Sequence, residues 1–202
     1  MNILVCGGAG YIGAHMCKML AKNGHAPIAF DNLSTGHEWA VKWGPLVRGD
    51  LLDPAALALA FREHRIDAVM HFAARSLVGE SVREPGLYFR NNVAGTLNLL
   101  DAMRAAGVGE LVFSSTAAVY GDPVYTPIDE AHPCAPINPY GWSKLMAERV
   151  IAEHCRAHGL RAVALRYFNA AGADADGEIG EAHDPETHLI PNIVKAALRP
   201  DA

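Results

Sequence analysis

The sequence predicts an α/β fold, a Rossmann-like doubly wound parallel sheet followed by an incomplete C-terminal lobe. Two observations support this prediction. Short apolar runs alternate along the chain with stretches of helical character, and a glycine-rich turn joins the first run to the first helix. Because alternating β and α units build a parallel sheet with helices on both faces, the apolar runs are expected to be buried strands.

The element boundaries follow from where each pattern starts and stops. Strands are predicted at residues 3–6, 27–30, 46–48, 68–72, 110–114 and 162–167. Helices are predicted at residues 11–23, 54–64, 88–106, 139–158 and 189–198. The segment 172–186 is rich in Gly, Asp and Glu and is expected to be a loop.

Charge and cysteine usage argue against several classes of protein. The 202-residue chain has a formal net charge of −5 and no run of Lys and Arg, so nucleic-acid binding is not expected. Its four cysteines form no C-x-x-C pair, and no carboxylate or third histidine is expected to complete a site with His154 and His158, so no metal site is expected. With neither a signal peptide nor a membrane span recognised in the sequence, we expect a cytoplasmic protein.

A G-x-G-x-x-G pattern at residues 8–13 directly follows the first predicted strand. Gly8 then allows a tight turn, Gly10 lets the backbone approach a pyrophosphate, and Gly13 lets the helix pack on the strand. Asp31 follows the second strand, where an acidic side chain binds the adenosine ribose and repels a 2′-phosphate. The pattern therefore predicts an NAD site that disfavours NADP. The alternatives are a turn without a ligand and a capping role for Asp31.

A Tyr-x-x-x-Lys pattern places Tyr140 and Lys144 one turn apart on a predicted helix that Asn138 caps and Pro139 begins. Ionising a phenol of pKa about 10 at pH 7 costs about 4 kcal/mol. Lys144, the positive helix end and a nicotinamide cation would each lower that cost, so Tyr140 is a candidate general base. Thr116 follows a strand at the ligand-binding edge of such sheets. The alternative is a chance Tyr–Lys pair on a solvated helix.

Seven motifs occur in order along the chain: GGAGYIG, GDL, HFAA, NNVAGT, SSTAAVYG, NPYGWSK and RYFNAAGA. With these motifs the sequence resembles the extended short-chain dehydrogenase/reductases, and it is most similar to their bacterial UDP-glucose 4-epimerases. The resemblance implies an isomerase that epimerises C4 of a UDP-hexose, UDP-glucose or UDP-galactose, through a 4-keto intermediate. Tyr140 would take the proton of the sugar 4-hydroxyl while NAD accepts the hydride.

The resemblance also implies a role for each residue that matches a family motif. The catalytic residues would be Tyr140, Lys144 and Thr116. The residues that bind NAD would be Gly7, Gly10, Tyr11, Ile12, Gly13, Asp31, Asn32, Asp50, Leu51, Phe72, Ala73, Ala74, Asn91, Tyr140, Lys144 and Tyr167. The residues that bind the UDP-sugar would be Thr116, Tyr140, Asn169 and His188. For Asn91 and Asn169 the alternative is a capping or loop residue that bonds nearby backbone.

The sequence departs from the family at two of these regions. Ser76 stands where some relatives have Lys, and His188 stands where others have Asn. Ala117 and Ala118 occupy the positions where 4,6-dehydratases carry an acidic pair, which argues against dehydration. Two alternatives remain: another nucleotide-sugar epimerase, acting on a UDP-N-acetylhexosamine or a uronate, and a non-catalytic NAD-binding fragment.

The resemblance further implies a domain division and an oligomeric state. Residues 1–170 would form an NAD-binding Rossmann domain, and residues 171–202 would begin a truncated substrate-binding lobe. A homodimer would form through the helices predicted at residues 88–106 and 139–158. The expected partner is a UDP-sugar, with neither nucleic acid nor membrane involved.

Overall fold

The computed structural model describes residues 1–198, which form a six-stranded parallel sheet with helices on both faces. The strands are β1 (Asn2–Cys6), β2 (Ala26–Asp31), β3 (Leu46–Arg48), β4 (Ala68–His71), β5 (Glu110–Ser114) and β6 (Arg161–Leu165). Their order in the sheet is β3-β2-β1-β4-β5-β6, with every pairing parallel. The predicted doubly wound fold is confirmed, because the chain grows outward from β1 in one direction and then from β4 in the other.

Helices follow most of the strands. The α-helices are α1 (Tyr11–Lys22), α2 (Pro54–His64), α3 (Val78–Arg83), α4 (Pro85–Tyr88), α5 (Gly95–Ala106), α6 (Pro139–His158) and α7 (Leu189–Ala197). Short 3₁₀ turns lie at Glu38–Ala40 and Ala117–Val119, and a π-helical segment lies at Phe89–Ala94. Of the helices described in residues 1–198, none is both long enough and apolar enough to cross a membrane.

Alternate residues of β1 contribute to two hydrophobic layers, one on each face of the sheet. Leu4 and Cys6 pack with buried side chains of α2, α5 and α6, whereas Ile3 and Val5 pack with Cys17 of α1. This division follows from the two-residue period of a strand, which sends successive side chains to opposite faces. Because helices cover β1 on both sides, the side chains of residues 3–6 are all buried.

The helical stretch predicted at residues 88–106 is confirmed, but its first part is not an α-helix. A π-helical segment precedes α5, and the short helices α3 and α4 were not predicted. Within the π-helical segment, Asn92 is buried; its Oδ1 accepts from Arg75 N at 2.9 Å, and its Nδ2 donates to Arg75 O at 3.0 Å and to Ser143 Oγ at 2.9 Å. These contacts with the loop after β4 and with α6 hold Asn92 inward and accompany the wider helical turn.

In the C-terminal part of the described chain, the side chains of the strand and the helix are the least buried. All of the side chains of β6 are exposed, and α7 has no buried residue within the described range. The apolar side chains Leu189 and Ile193 of α7 are 73% and 57% exposed. The strand predicted at residues 162–167 ends at Leu165, so Tyr167 lies just beyond the sheet.

Candidate active site

The glycine-rich turn joins β1 to α1 at the carboxyl edge of the sheet. Gly7 has a φ of +79°, and a β-carbon there would lie 2.7 Å from Ala73 N. A β-carbon on Gly13 would lie 2.0 Å from the Gly7 carbonyl oxygen. Gly10 differs, because its φ is −81° and the nearest described atom to a β-carbon would be the Gly7 oxygen, at 3.4 Å. Packing thus requires glycine at positions 7 and 13, whereas at position 10 glycine leaves space for a ligand to reach the backbone.

The start of α1 adds hydrogen-bond donors to this space. The helix begins at Tyr11, and the first backbone amides of any α-helix, here those of Tyr11 and Ile12, have no acceptor within the helix. The helix dipole also makes this end positive. The turn therefore combines open space, free donors and positive potential, which together favour a phosphate group.

Asp31 ends β2 beside the glycine turn and is buried, with 7% of its surface exposed. Its Oδ2 accepts from Ala9 N at 3.0 Å, and its Oδ1 accepts from Leu33 N at 2.8 Å. The capping role considered for Asp31 is therefore real. An ionised carboxylate has about four acceptor positions, so two remain for a ligand's hydroxyl groups. Capping and ribose binding are compatible at this residue.

The loops after β2 and β3 meet beside Asp31. Asn32 Nδ2 donates to Asp50 Oδ2 at 2.8 Å, which joins the two predicted cofactor residues directly. Leu51 is buried at 5% exposure and contributes to the core. Phe72 and Ala73, two predicted cofactor residues, lie in the loop after β4, on the other side of the glycine turn. Their backbone amides both donate to Cys6 O, at 2.8 and 2.9 Å. Ala74 follows them directly and is partly buried.

Tyr140 and Lys144 lie in the first two turns of α6, as predicted. Asn138 caps the helix by accepting from Gly141 N at 2.8 Å, and Pro139 is its first residue. Lys144 is 3% exposed, and its Nζ donates to Ser114 O at 2.8 Å. The helix start and the end of β5 therefore hold Lys144 in place.

The protonation of the two side chains follows from their burial. Burial lowers the pKa of Lys144 to about 7, although the nearby carboxylate of Glu148 opposes this shift. Burial raises the pKa of Tyr140, the Thr116 side chain lowers it, and Tyr167 raises it further. The described side chains therefore do not produce the expected depression of the Tyr140 pKa. An additional positive charge in the site is needed to ionise the phenol near pH 7.

Thr116 and Tyr167 complete the region around the phenol. Thr116 is buried at 7% exposure, and its Oγ1 accepts from Ala118 N at 3.1 Å. This bond fixes the side chain at the start of a 3₁₀ turn directly after β5. The Tyr167 hydroxyl forms a hydrogen bond with Ser114 Oγ. The ring of Tyr88, which the sequence did not single out, packs edge-on against Tyr140 with 6.4 Å between ring centroids.

The other predicted residues lie farther from this centre. Asn91 is partly buried and its Nδ2 donates to Asn92 Oδ1 at 2.9 Å, so the buried Asn92 orients it. Asn169 and His188 are exposed. The described contacts of His188 are with Glu186 and Glu181, in the loop that precedes α7.

A charged network that was not predicted from the sequence lies next to the site, on α6 and the residues after β5 and β6. Arg166 forms a bidentate pair with Glu148, with Nε 2.9 Å from Oε1 and Nη2 2.5 Å from Oε2. Glu148 also accepts from Ser115 Oγ. The network joins α6 to the residues after β5 and β6. Its only sequence signal is that Glu148 follows Lys144 by one helical turn.

The chain matches the NAD dependent epimerase/dehydratase family over residues 3–201. This match covers nearly the whole sequence, and the sheet order and the glycine turn described above agree with it. The chain belongs to this family.

Individual members of the family that resemble the chain are UDP-glucose 4-epimerases. The chain is 54% identical over 197 residues to a UDP-glucose 4-epimerase of Rhizobium meliloti (strain 1021), a match that covers 98% of this chain and 60% of the relative. The crystal structure of UDP-glucose 4-epimerase from Brucella ovis in complex with NAD has 56% identity and a TM-score of 0.95, covering 97% of this chain and 60% of that one. A UDP-glucose-4-epimerase from Stenotrophomonas maltophila, with bound NAD and formylated UDP-arabinopyranose, has 41% identity and a TM-score of 0.93, covering 99% and 63%. The chain thus spans about 60% of the length of these relatives.

Proposed function

We propose that this chain carries the cofactor-binding and catalytic residues of an NAD-dependent UDP-glucose 4-epimerase. The observation that carries the proposal is the placement of Thr116, Tyr140 and Lys144 at the same sheet edge as the glycine turn. The identity with UDP-glucose 4-epimerases supports the choice of reaction. In this proposal residues 1–170 form the NAD-binding domain, and residues 171–202 begin the substrate-binding lobe.

The described residues fit NAD. Gly10 leaves space beside the start of α1 for a pyrophosphate, and Asp31 keeps acceptor positions for two ribose hydroxyls. When bound, NAD supplies the hydride acceptor at its nicotinamide ring. The residues proposed to hold it are Gly7, Gly10, Tyr11, Ile12, Gly13, Asp31, Asn32, Asp50, Leu51, Phe72, Ala73, Ala74, Asn91, Tyr140, Lys144 and Tyr167.

Tyr140 is the proposed general base. Its phenolate oxygen accepts the proton of the sugar 4-hydroxyl, and Thr116 hydrogen-bonds the same sugar oxygen and orients it. Burial keeps the phenol protonated in the protein alone, so ionisation depends on the Lys144 ammonium and on the positive charge of the oxidised nicotinamide. Lys144 also bonds the nicotinamide ribose in this proposal. The base then becomes active only when the site is loaded.

The proposed substrate is UDP-glucose or UDP-galactose, with Asn169 and His188 near its diphosphate. Ala117 and Ala118 carry no acid or base, which supports a reaction confined to C4. UDP-N-acetylhexosamines and uronates are the alternative substrates, and conversion rates measured for each UDP-sugar distinguish them. A homodimer is also part of the proposal, and it rests on the family resemblance alone. A cytoplasmic location is the remaining part of the proposal.

The experiment that tests this function replaces the proposed base. Tyr140→Phe keeps the ring and removes the proton acceptor, so in a full-length parent of this chain UDP-galactose conversion is expected to fall by about 10²–10⁴-fold. NAD is expected to stay bound, as measured by fluorescence titration, because the substitution keeps the ring of residue 140. Tyr125→Phe is the matched control, because Tyr125 is an exposed tyrosine that bonds only Asp129 among the described side chains. Unchanged conversion in Tyr140→Phe would refute the assignment.

A further inference from the structure

A cluster of two carboxylates and two imidazoles lies in the loop before α7. It contains Glu181, His183, Glu186 and His188, with one donor atom from each within 4.8 Å of the others. His188 Nδ1 is 2.9 Å from Glu181 Oε1 and 3.0 Å from Glu186 Oε1. His183 Nδ1 is 3.3 Å from Glu181 Oε1 and 4.0 Å from Glu186 Oε2. The four donor groups therefore converge on a common space.

The protein itself leaves part of this cluster unsatisfied. The Glu186 side chain is 5% exposed, and within residues 1–198 its Oε2 has no hydrogen-bond partner. His183 Nδ1 is likewise buried and makes no hydrogen bond to any described atom. A buried polar atom without a partner destabilises the folded chain. A carboxylate oxygen and an unprotonated imidazole nitrogen can each donate a lone pair to a cation, so a cation placed among the four donor groups would satisfy both atoms.

A neighbouring acidic cluster shows the contrasting case. Asp174, Asp176 and Glu178 surround the Nζ atom of Lys18, at 2.6, 2.8 and 2.7 Å. The chain thus supplies a cation for that cluster. Within the described part of the chain, the only basic side chains within 4.0 Å of the Glu181 and Glu186 carboxylates are the imidazoles of His183 and His188. Two carboxylates and two neutral imidazoles carry a charge of −2, which a divalent cation would neutralise.

We propose that this His₂Glu₂ cluster binds one zinc ion. Zinc prefers imidazole and carboxylate ligands in tetrahedral geometry, with bonds of about 2.0–2.2 Å that place ligand atoms about 3.3–3.5 Å apart. The donor distances of 2.9 to 4.0 Å bracket that spacing. Four protein ligands leave no open position, so the site is structural.

The zinc ion would fix the loop against the start of α1. The His183 ring lies edge-on to the Tyr11 ring, with 6.4 Å between centroids, and His37 Nε2 contacts Ala182 O at 2.6 Å. Coordination through Nδ1 leaves Nε2 of His188 available to a substrate. The zinc site is thus compatible with the proposed function and does not depend on it.

Zinc titration of the chelator-treated 202-residue chain tests the proposal. Calorimetry is expected to show one zinc ion per chain, and Co²⁺ in its place is expected to give the intense visible absorption of tetrahedral coordination. His183→Ala and the near-isosteric Glu186→Gln are each expected to weaken zinc binding by at least about tenfold, since even the loss of a second-shell partner has that effect. His154→Ala/His158→Ala, which removes a second histidine pair on α6, is the matched control and is expected to bind zinc normally.

The same variants distinguish a zinc site from an ion-pair network that holds no metal. Circular dichroism without metal checks that each variant is folded, and Glu186→Gln preserves the shape of the loop if His183→Ala disturbs it. Zinc binding that is absent, that is equal in all variants, or that is lost only in the His154/His158 variant would overturn the proposal. In each of those cases the histidines and carboxylates of the cluster pair only with one another.

Discussion

At the scale of single residues, the site depends on ionisable groups that the fold keeps from water. Lys144 is the clearest example, because it is buried at the junction of α6 and β5 and its ammonium donates to a backbone carbonyl, that of Ser114. A carbonyl is a weaker partner for a cation than a carboxylate, and burial lowers the Lys144 pKa to about 7. Keeping Lys144 charged therefore has a cost in stability, which should be visible as a pH dependence.

We expect the stability difference between the chain and its Lys144→Met variant to change with pH. An unfolded lysine has a pKa of about 10.4, so between that value and the folded pKa of about 7 the unfolded chain binds more protons. The free energy of unfolding of the wild-type chain should then rise with pH relative to that of the variant, by at most about 1.4 kcal/mol per pH unit. Below the folded pKa of Lys144, the destabilisation by its buried ammonium is complete. Urea unfolding across this window measures it.

The matched control for this experiment is Lys195→Met, because Lys195 is an exposed lysine on α7. Its stability difference from wild type should stay constant with pH. A constant difference for Lys144→Met would mean that Lys144 keeps an ordinary pKa in the folded chain and that its burial does not disfavour the ammonium form.

Asp31→Asn tests cofactor choice. The substitution removes the charge and one of the two oxygens that now bond Ala9 N and Leu33 N. We expect NAD affinity to fall by about 10- to 100-fold, because hydrogen bonds to charged groups contribute about 1.5–3 kcal/mol. The preference over NADP should shrink, since no carboxylate repels the 2′-phosphate. Fluorescence titrations with both cofactors measure the change.

Asp53→Asn is the control for that substitution. Asp53 caps α2 through Ala55 N and Ala56 N, and Asn is about as good a cap as Asp. Both cofactor affinities should remain as in wild type. An equal loss of NAD and NADP affinity in Asp31→Asn would show that Asp31 supports the turn without selecting the cofactor.

At the scale of elements, the position of the proposed base depends on how α6 begins. Asn138→Ala removes the acceptor for Gly141 N and is expected to lower the free energy of unfolding by about 0.5–2 kcal/mol. Asn138→Asp keeps the acceptor and adds a negative charge at the positive helix end, so it should retain wild-type stability. Urea titration compares the three proteins. Equal destabilisation by Ala and Asp would mean that the cap bond is not the cause.

The elements also show what the sequence can and cannot predict. Strands β3 and β5 and helices α2 and α6 have the predicted boundaries, because strong apolar periods and caps such as Asn138 define them locally. The π-helical segment was missed because its inward residue, Asn92, bonds Arg75 and Ser143, which are distant in sequence. No local pattern carries that information.

The residues of the candidate site also fall into two groups, those that local sequence motifs predicted and those that they did not. The glycine turn, Asp31, Thr116 and the Tyr–Lys pair were found from local motifs, and the structure brings them to one edge of the sheet. The His/Glu cluster near α7 was not anticipated, because its members occupy an irregular loop and converge only through its path. Metal-ligand spacing in a loop without periodicity is a weak signal in one sequence.

At the scale of the whole molecule, the burial of side chains decreases from the centre of the sheet toward β6 and α7. Leu4 and Val5 of β1 have no exposed surface, whereas Val163 and Leu165 of β6 are 48% and 45% exposed. Asn169 and the α7 region, which the proposal places near the substrate, share this exposure. Within the described residues, the side chains of the central strand are therefore covered, whereas the side chains that the proposal places near the substrate are exposed.

This difference leads to a prediction for the 202-residue chain by itself. It should bind NAD but convert UDP-galactose much more slowly than a relative of full family length, such as the Rhizobium meliloti enzyme, of which it spans 60%. Binding energy from the nucleotide helps to position the reacting carbon, so an open substrate side lowers rate as well as affinity. A misplacement of about 1 Å can cost on the order of 100-fold. A coupled assay with both proteins at equal NAD occupancy measures the ratio, and equal turnover would show that residues 1–202 suffice to position the sugar.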